Sequence, residues 1–351
     1  MPDLQKAQTF RIPTLDGWRG IAILMVIVTH LQAGLLGYAW GGHQWLNMGQ
    51  HGVGIFFVLS GYLITARLLN EEKINLRRFY LRRFFRLMPC AWTYLLAVIV
   101  FAQLTRLPLV GIDLWSSLFF FRNYFPAIPH MYALTAHFWS LSLEEQFYLG
   151  WPLLLALTGR TWALRFAVAG TVASAVYRFC HWRACTETPM MNLHTEVRVD
   201  ALLLGCTMAI LLRHDKARAW IRQHGAELLW FCIPAFMWYV YSYHVLIPFT
   251  ESIVIAAMLV CTSMNPSSVI GRALEWKYLK FLGTISYSLY VWQELFLVPH
   301  WGWSGIAFLP FAAIVSWRYI EQPCIRFERK IEKNHSFWDR PSQHLYSIRE
   351  Q

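Results

Sequence analysis

The stretch LDGWRGIAILMVIVTH, Leu15 to His30, decides how the chain is read. Its middle is an unbroken apolar run suited to hydrocarbon, yet Arg19 stands at its mouth and His30 lies within it. An ionisable ring in such a run is costly, because apolar surroundings remove the water that solvates it. A group kept there against that cost marks the stretch as a place where chemistry is to be sought.

The rest of the chain places the run in a bilayer. Of 351 residues, 56% are hydrophobic and only 15% charged, with a mean hydropathy of +0.36; soluble domains carry roughly 25% charged residues. Apolar runs suited to spanning about 30 Å of hydrocarbon recur from end to end, so a soluble core with a single anchor does not fit. Ten are read, over residues 18–37, 52–69, 89–106, 138–158, 162–179, 199–213, 227–244, 246–263, 280–298 and 304–320. The predicted fold is all-α, a polytopic membrane helical bundle of about ten transmembrane helices. Leu114 to Phe121 is too short to cross and reads as interfacial or re-entrant. No small-residue cleavage site follows the first span, which therefore reads as a retained signal anchor.

A net charge of +11 invites a nucleic-acid partner, but the basic residues gather in short connectors beside spans, the positive-inside pattern. RLLNEEKINLRRFYLRRFFRLMP follows span two and RHDKARAWIRQHG follows span six. Placing both in the cytoplasm with Lys6 and Arg11 requires an even number of crossings between them, and puts both termini inside. The division is a cytoplasmic segment 1–14, a membrane domain 15–326 and a basic cytoplasmic tail 327–351, partly disordered. Seven cysteines show no metal-ligand spacing, so no metal site is expected. Cys180 and Cys185, in one outer loop, are the candidates for a disulfide.

Arg19 and His30 are eleven residues apart, which on a helix is about 20° of rotation and about 16 Å of rise. They share a face at different depths, Arg19 at the cytoplasmic rim and His30 near or just beyond the midplane. A lone intramembrane histidine serves equally well as packing glue between helices. Span four, HFWSLSLEEQFYLGWPLLL, adds Glu144 and Glu145 about 9 Å inside its outer end, close to the depth of His30. One of the two carboxylates is expected beside the imidazole, fixing its tautomer and raising its basicity for taking a proton from an alcohol. In RRFYLRRFFRLMP, Arg82, Arg83 and Arg86 read either as a topology signal or as forks for phosphate oxygens.

Taken together these motifs resemble acyltransferase family 3, the polytopic membrane O-acyltransferases of surface glycans, peptidoglycan, nodulation factors and some macrolides. The resemblance runs from about Leu15 to Arg326. It is carried by RGIAILMVIVTH, FFVLSGYLIT, RRFFRLMP, FWSLSLEEQFYLGWP, RVDALLLG, GTISYSLYVW and YIEQP, in that order. It implies transfer of an acyl group, generally acetyl from acetyl-CoA on the cytoplasmic side, to a hydroxyl at or beyond the membrane. The acceptor would be a glycan, lipid-linked saccharide or similar molecule, and the location the bacterial cytoplasmic membrane. His30 and Arg19 match the family's essential pair, Arg83 and Arg86 its RxxR element associated with the CoA donor, and Glu144 and Glu145 its acidic pair.

Two positions depart from the family pattern: Gln293 follows Trp292 where members often carry His, and Gly54 stands before FFVLSG where many have an acidic or polar residue. The soluble esterase-like domain appended in some relatives is not expected. The resulting expectation is that Arg83, Arg86 and Arg19 hold the phosphates of CoA while its arm threads inward to His30. The oxyanion donor stays open, with Ser60, Ser286 and Tyr287 reading equally as packing residues. Asp200 is expected to pair with Arg198 or to touch the acceptor, and Trp139 or Trp292 to offer a stacking face. The rival reading is a secondary transporter with an intramembrane proton relay, and a further one an idle scaffold.

Overall fold

The computed structural model describes residues 12–31, 48–125, 134–184, 191–241, 247–297, 301 and 303–334. Lys6, Arg11, Cys185 and the tail 335–351 lie outside the described residues. Twelve α-helices carry the fold among them, and no strand occurs. They are α1 Pro13–Leu31, α2 Met48–Leu68, α3 Leu76–Thr105, α4 Gly111–Leu118, α5 Phe138–Arg183, α6 Thr195–Leu211, α7 Asp215–Tyr241, α8 Ile247–Met264, α9 Val269–Leu274, α10 Lys277–Phe296, α11 Ser304–Ser316 and α12 Gln322–Asn334. A π-helical turn, Trp317–Glu321, joins the last two. Where its residues are described, each apolar run read from the sequence overlaps one of these helices, the fourth and fifth sharing α5. By length and composition, α1, α2 and α3 are apolar enough to cross a membrane.

The boundaries have local causes. Asn75 caps α3 by accepting from the Arg78 amide at 2.9 Å, so the basic connector becomes the helix's first turns rather than a loop. The predicted break between spans four and five is Gly159, whose φ of 70° interrupts the helical run of α5. Such a conformation is inexpensive only for glycine. The short segment near Leu114 is α4, eight residues long.

Helix α1 is sandwiched between α10 and α2, α2 also packs on α6 and α8, α5 lies on α6, and α12 lies on α3. Small residues allow these approaches, as is usual between helices in lipid. A Cβ on Gly283 would sit 1.8 Å from the Asp16 carbonyl oxygen, and one on Gly61 would sit 1.9 Å from that of Leu202. Helices α1 and α10 run in the same direction, with Asp16 against Gly283 at one end and His30 against Glu294 at the other.

The start of the basic tail is ordered: the chain after Arg326 continues as α12 to Asn334. Glu332 accepts from Arg82 Nε at 2.5 Å and Arg78 Nε at 2.9 Å, and Glu328 lies 3.4 Å from Arg82. The basic residues of α3 therefore neutralise acidic ones of α12.

Candidate active site

His30 stands in the last described turn of α1 with an acceptor at each ring nitrogen. Its Nδ1 lies 2.8 Å from the Val26 carbonyl oxygen, one turn back, and its Nε2 lies 3.0 Å from Oε1 of Glu294 on α10. A carbonyl cannot donate, so Nδ1 carries a proton and gives it to Val26. The Nε2···Oε1 contact then holds a second proton, on the imidazole facing a carboxylate or on the carboxyl facing a neutral ring. Val26 orients the ring, and Glu294 is its proton partner at the other nitrogen.

That partner is not one of the two expected. Glu144 accepts from the Ser60 hydroxyl at 2.8 Å and lies 3.7 Å from Arg83, while Glu145 accepts from Arg83 Nε at 3.2 Å. The Arg83 guanidinium stacks 3.5 Å above the Tyr148 ring. The acidic pair of α5 thus serves the basic side of the molecule, and the carboxylate on His30 comes from α10. Its signal in the sequence is the ionisable residue directly after Gln293 in the predicted ninth span. Gln293 itself is fully buried, and neither end of its amide has a hydrogen-bond partner among the described residues.

The three arginines of the connector separate in the same way. Neighbouring helix positions diverge by about 100°, so Arg82 and Arg83 cannot share a target. Arg82 points to α12, whereas Arg83 and Arg86 join Arg19 around a cavity of about 90 Å³. Arg19 also donates to Asp16 at 3.3 Å. Glu144, Ser60 and Tyr148 line the cavity near the arginines, and Ser140, Ser286, Tyr287 and Tyr290 line it along α5 and α10.

The cavity and the His30–Glu294 pair are neighbours. Tyr290 precedes Glu294 by four residues on α10, which is one turn and about 6 Å. His137 bridges the same region: its ring packs edge-on to Tyr290 at 5.6 Å, and its Nε2 donates to the Val291 carbonyl at 3.0 Å. Its Nδ1 has no partner among the described residues. Sequence reasoning passed over His137 because it precedes the apolar face of α5 rather than interrupting it.

Other expectations move. Asp200 pairs with Arg178 of α5 at 3.0 Å, both nearly devoid of solvent contact, so the ion pair is structural and its partner is not Arg198. Arg198 donates to Gln50 at 2.5 Å and lies 5.9 Å over the Trp139 ring. Trp292 is partly buried and meets Tyr94 edge-on at 5.6 Å. Gly54 packs on Ile255 of α8. No group of three potential metal ligands occurs among the described residues.

YrhL of Bacillus subtilis is 32% identical over 314 residues, covering 80% of this chain and 48% of its own length. The peptidoglycan O-acetyltransferase OatA of Listeria monocytogenes is 27% identical over 318 residues, 80% of this chain and 49% of the relative. The O-acetyltransferase OatA of Staphylococcus aureus is 28% identical over 321 residues, 82% and 51%. The chain thus spans about half the length of these relatives. No solved structure is significantly similar. The family model of the acyltransferase domain matches residues 12–319, almost all of the helical bundle, and the chain therefore belongs to acyltransferase family 3.

Proposed function

We propose that the protein is an acyl-CoA-dependent membrane O-acyltransferase that moves an acetyl group to a hydroxyl of a cell-surface carbohydrate. The observation that carries the reading is the cavity ringed by Arg19, Arg83 and Arg86, whose α10 wall comes within one turn of the His30–Glu294 pair. Guanidinium forks suit phosphate oxygens, and an imidazole with a proton partner suits removal of a hydroxyl proton. The two OatA relatives, named as O-acetyltransferases and one of them as acting on peptidoglycan, support the same chemistry and a glycan acceptor. The reading includes the ten-span topology with cytoplasmic termini in a bacterial cytoplasmic membrane.

In this mechanism the CoA phosphates rest against the arginines and the thioester lies along α10. The acceptor oxygen attacks the thioester carbonyl carbon as its proton enters the His30–Glu294 pair, which reacts in the form that has lost its bridging proton, a neutral ring with Nε2 unprotonated beside a carboxylate. Carbon–sulfur cleavage follows, and the leaving thiolate takes that proton to give the ester and free CoA. Glu144 and Glu145 act one step back, holding Arg83 in its place on the cavity wall.

The test is release of CoA thiol from acetyl-CoA by purified protein, with and without a peptidoglycan or polysaccharide acceptor. Acceptor-dependent release, abolished in His30→Ala and Arg19→Ala, is expected. Wild-type rates in both folded variants would overturn the site. Solute flux into vesicles without any acyl-CoA would make the protein a transporter instead.

A further inference from the structure

Acyl transfer from a thioester builds negative charge on the carbonyl oxygen, and a donor must meet it. The hydroxyls first suggested by the sequence are committed elsewhere. Ser60 donates to Glu144 at 2.8 Å, Ser286 to the Gly283 carbonyl at 2.9 Å, and Tyr287 to the Leu87 carbonyl at 2.7 Å.

One pair on the cavity wall is different. Tyr290 Oη and Ser140 Oγ lie 2.5 Å apart, and both reach the same backbone carbonyl, that of His137, at 3.0 and 3.3 Å. The Ser140 amide also points at this carbonyl, at 3.4 Å. Two hydroxyl protons therefore serve one carbonyl and one another. Either hydroxyl can turn its proton to an incoming oxygen while the other, with the amide, keeps the carbonyl satisfied. Tyr290 is held edge-on by Phe56 at 6.3 Å and by His137 at 5.6 Å, so its hydroxyl is fixed in advance of the reaction. It stands one turn from Glu294, between the arginine-lined part of the cavity and the His30 pair.

We propose that the Tyr290–Ser140 hydroxyl pair is the oxyanion donor of the acyl-transfer step. The carbonyl π electrons move to oxygen as the acceptor adds, the resulting oxyanion takes the hydrogen bond from the pair, and collapse returns the electrons as the carbon–sulfur bond breaks. The pair gives no proton away, and the hydroxyl proton travels through His30 and Glu294 as above. A fixed donor in a water-poor site stabilises the transition state more than the ground state. Its loss must therefore appear in kcat rather than in donor affinity.

The proposal rests on the acyl-transfer reading, and the experiment separates the two. Acceptor-dependent CoA release is measured for full-length wild type, Tyr290→Phe, Ser140→Ala and the double variant, at saturating and sub-saturating acetyl-CoA. The expected result for Tyr290→Phe is a fall in kcat of roughly 10²-fold with an unchanged KM for acetyl-CoA. Ser140→Ala should move in the same direction, and the double variant should lose less than the product of the singles. A kcat at wild-type level in the double variant, or a raised KM with kcat intact, overturns the oxyanion role. If Tyr290→Phe fails to fold, Ser140→Ala decides alone, an unchanged kcat counting against the pair. A wild-type protein that releases no CoA with any acceptor would sink the acyl-transfer reading itself.

Discussion

At the scale of single residues, the molecule turns on which acidic group meets His30. Glu294 sits on Nε2, the nitrogen left for chemistry once Val26 has taken Nδ1, so base strength depends on both members of the pair. Glu294→Gln keeps the size and a hydrogen-bonding end but cannot accept a proton. We expect kcat to fall by about 10² or more, with the KM for acetyl-CoA unchanged, in the CoA-release assay. Activity equal to wild type would show that His30 works unaided. The sequence announced that His30, Arg19, Glu144 and Glu145 were unusual, because each places charge in an apolar run. It did not announce their partners, since which side chains meet depends on the relative rotation and register of helices far apart in the chain. Glu294 belongs to a helix that begins 246 residues after α1 ends, at Lys277 against Leu31. Arg82 shows the opposite case: its divergence from Arg83 follows from helix geometry alone, and its acidic partners lay in a segment that composition reads as tail.

At the scale of elements, the α3–α12 clamp has a calculable pH dependence. Partial burial would raise the Glu332 carboxyl, but hydrogen bonds from Arg82 and Arg78 outweigh it and hold the group down at about 2. A carboxyl depressed on folding contributes stability that is complete above its ordinary value of 4.5 and is lost as pH falls towards about 2. Glu328 shifts the other way, its carboxyl raised by partial burial and by Glu332 beside it, so docking of α12 should loosen in strong acid as Glu332 takes up its proton, and Glu332→Gln should loosen it at neutral pH. Amide exchange of residues 322–334 in detergent measures both. Exchange that ignores both acid and the substitution would show that apolar packing, such as Phe85 against Phe327 with ring centroids 5.6 Å apart, holds the helix by itself. The pair is partly exposed, so salt should weaken it as well. Helix positions were legible in the sequence because apolar runs and breakers such as Gly159 are local signals. The helical start of the tail was not, because FERKIEKN is polar enough to read as tail until Arg78 and Arg82 supply opposite charge to its glutamates.

At the scale of the whole molecule, the proposed acyl transfer requires the arginine-lined cavity to face one compartment and the acceptor to reach His30 from the other. About 16 Å of helix separates Arg19 from His30, so one extended donor molecule can connect the two levels without any large movement of the bundle. The parallel run of α1 and α10 suits this arrangement, since spans one and nine would both run outward in the proposed ten-span topology. Cysteines give a direct measurement of sidedness. Cys180 is an exposed thiol at the end of α5 and Cys324 a partly exposed one in α12, whereas Cys90, Cys206, Cys232 and Cys261 are buried. The proposed ten-span topology puts Cys324 on the same side as the basic connectors, and Cys180 and Cys185 on the other. After reduction with a thiol reductant, which frees Cys180 and Cys185 if they are paired, a membrane-impermeant maleimide applied to intact cells should label wild type and lose its signal in the Cys180→Ser, Cys185→Ser double variant. It should reach Cys324 only after permeabilisation. Labelling of Cys324 in intact cells would reverse the parity, place the arginines away from the cytoplasmic pool of acyl-CoA, and remove the physical basis for reading the cavity as a donor site.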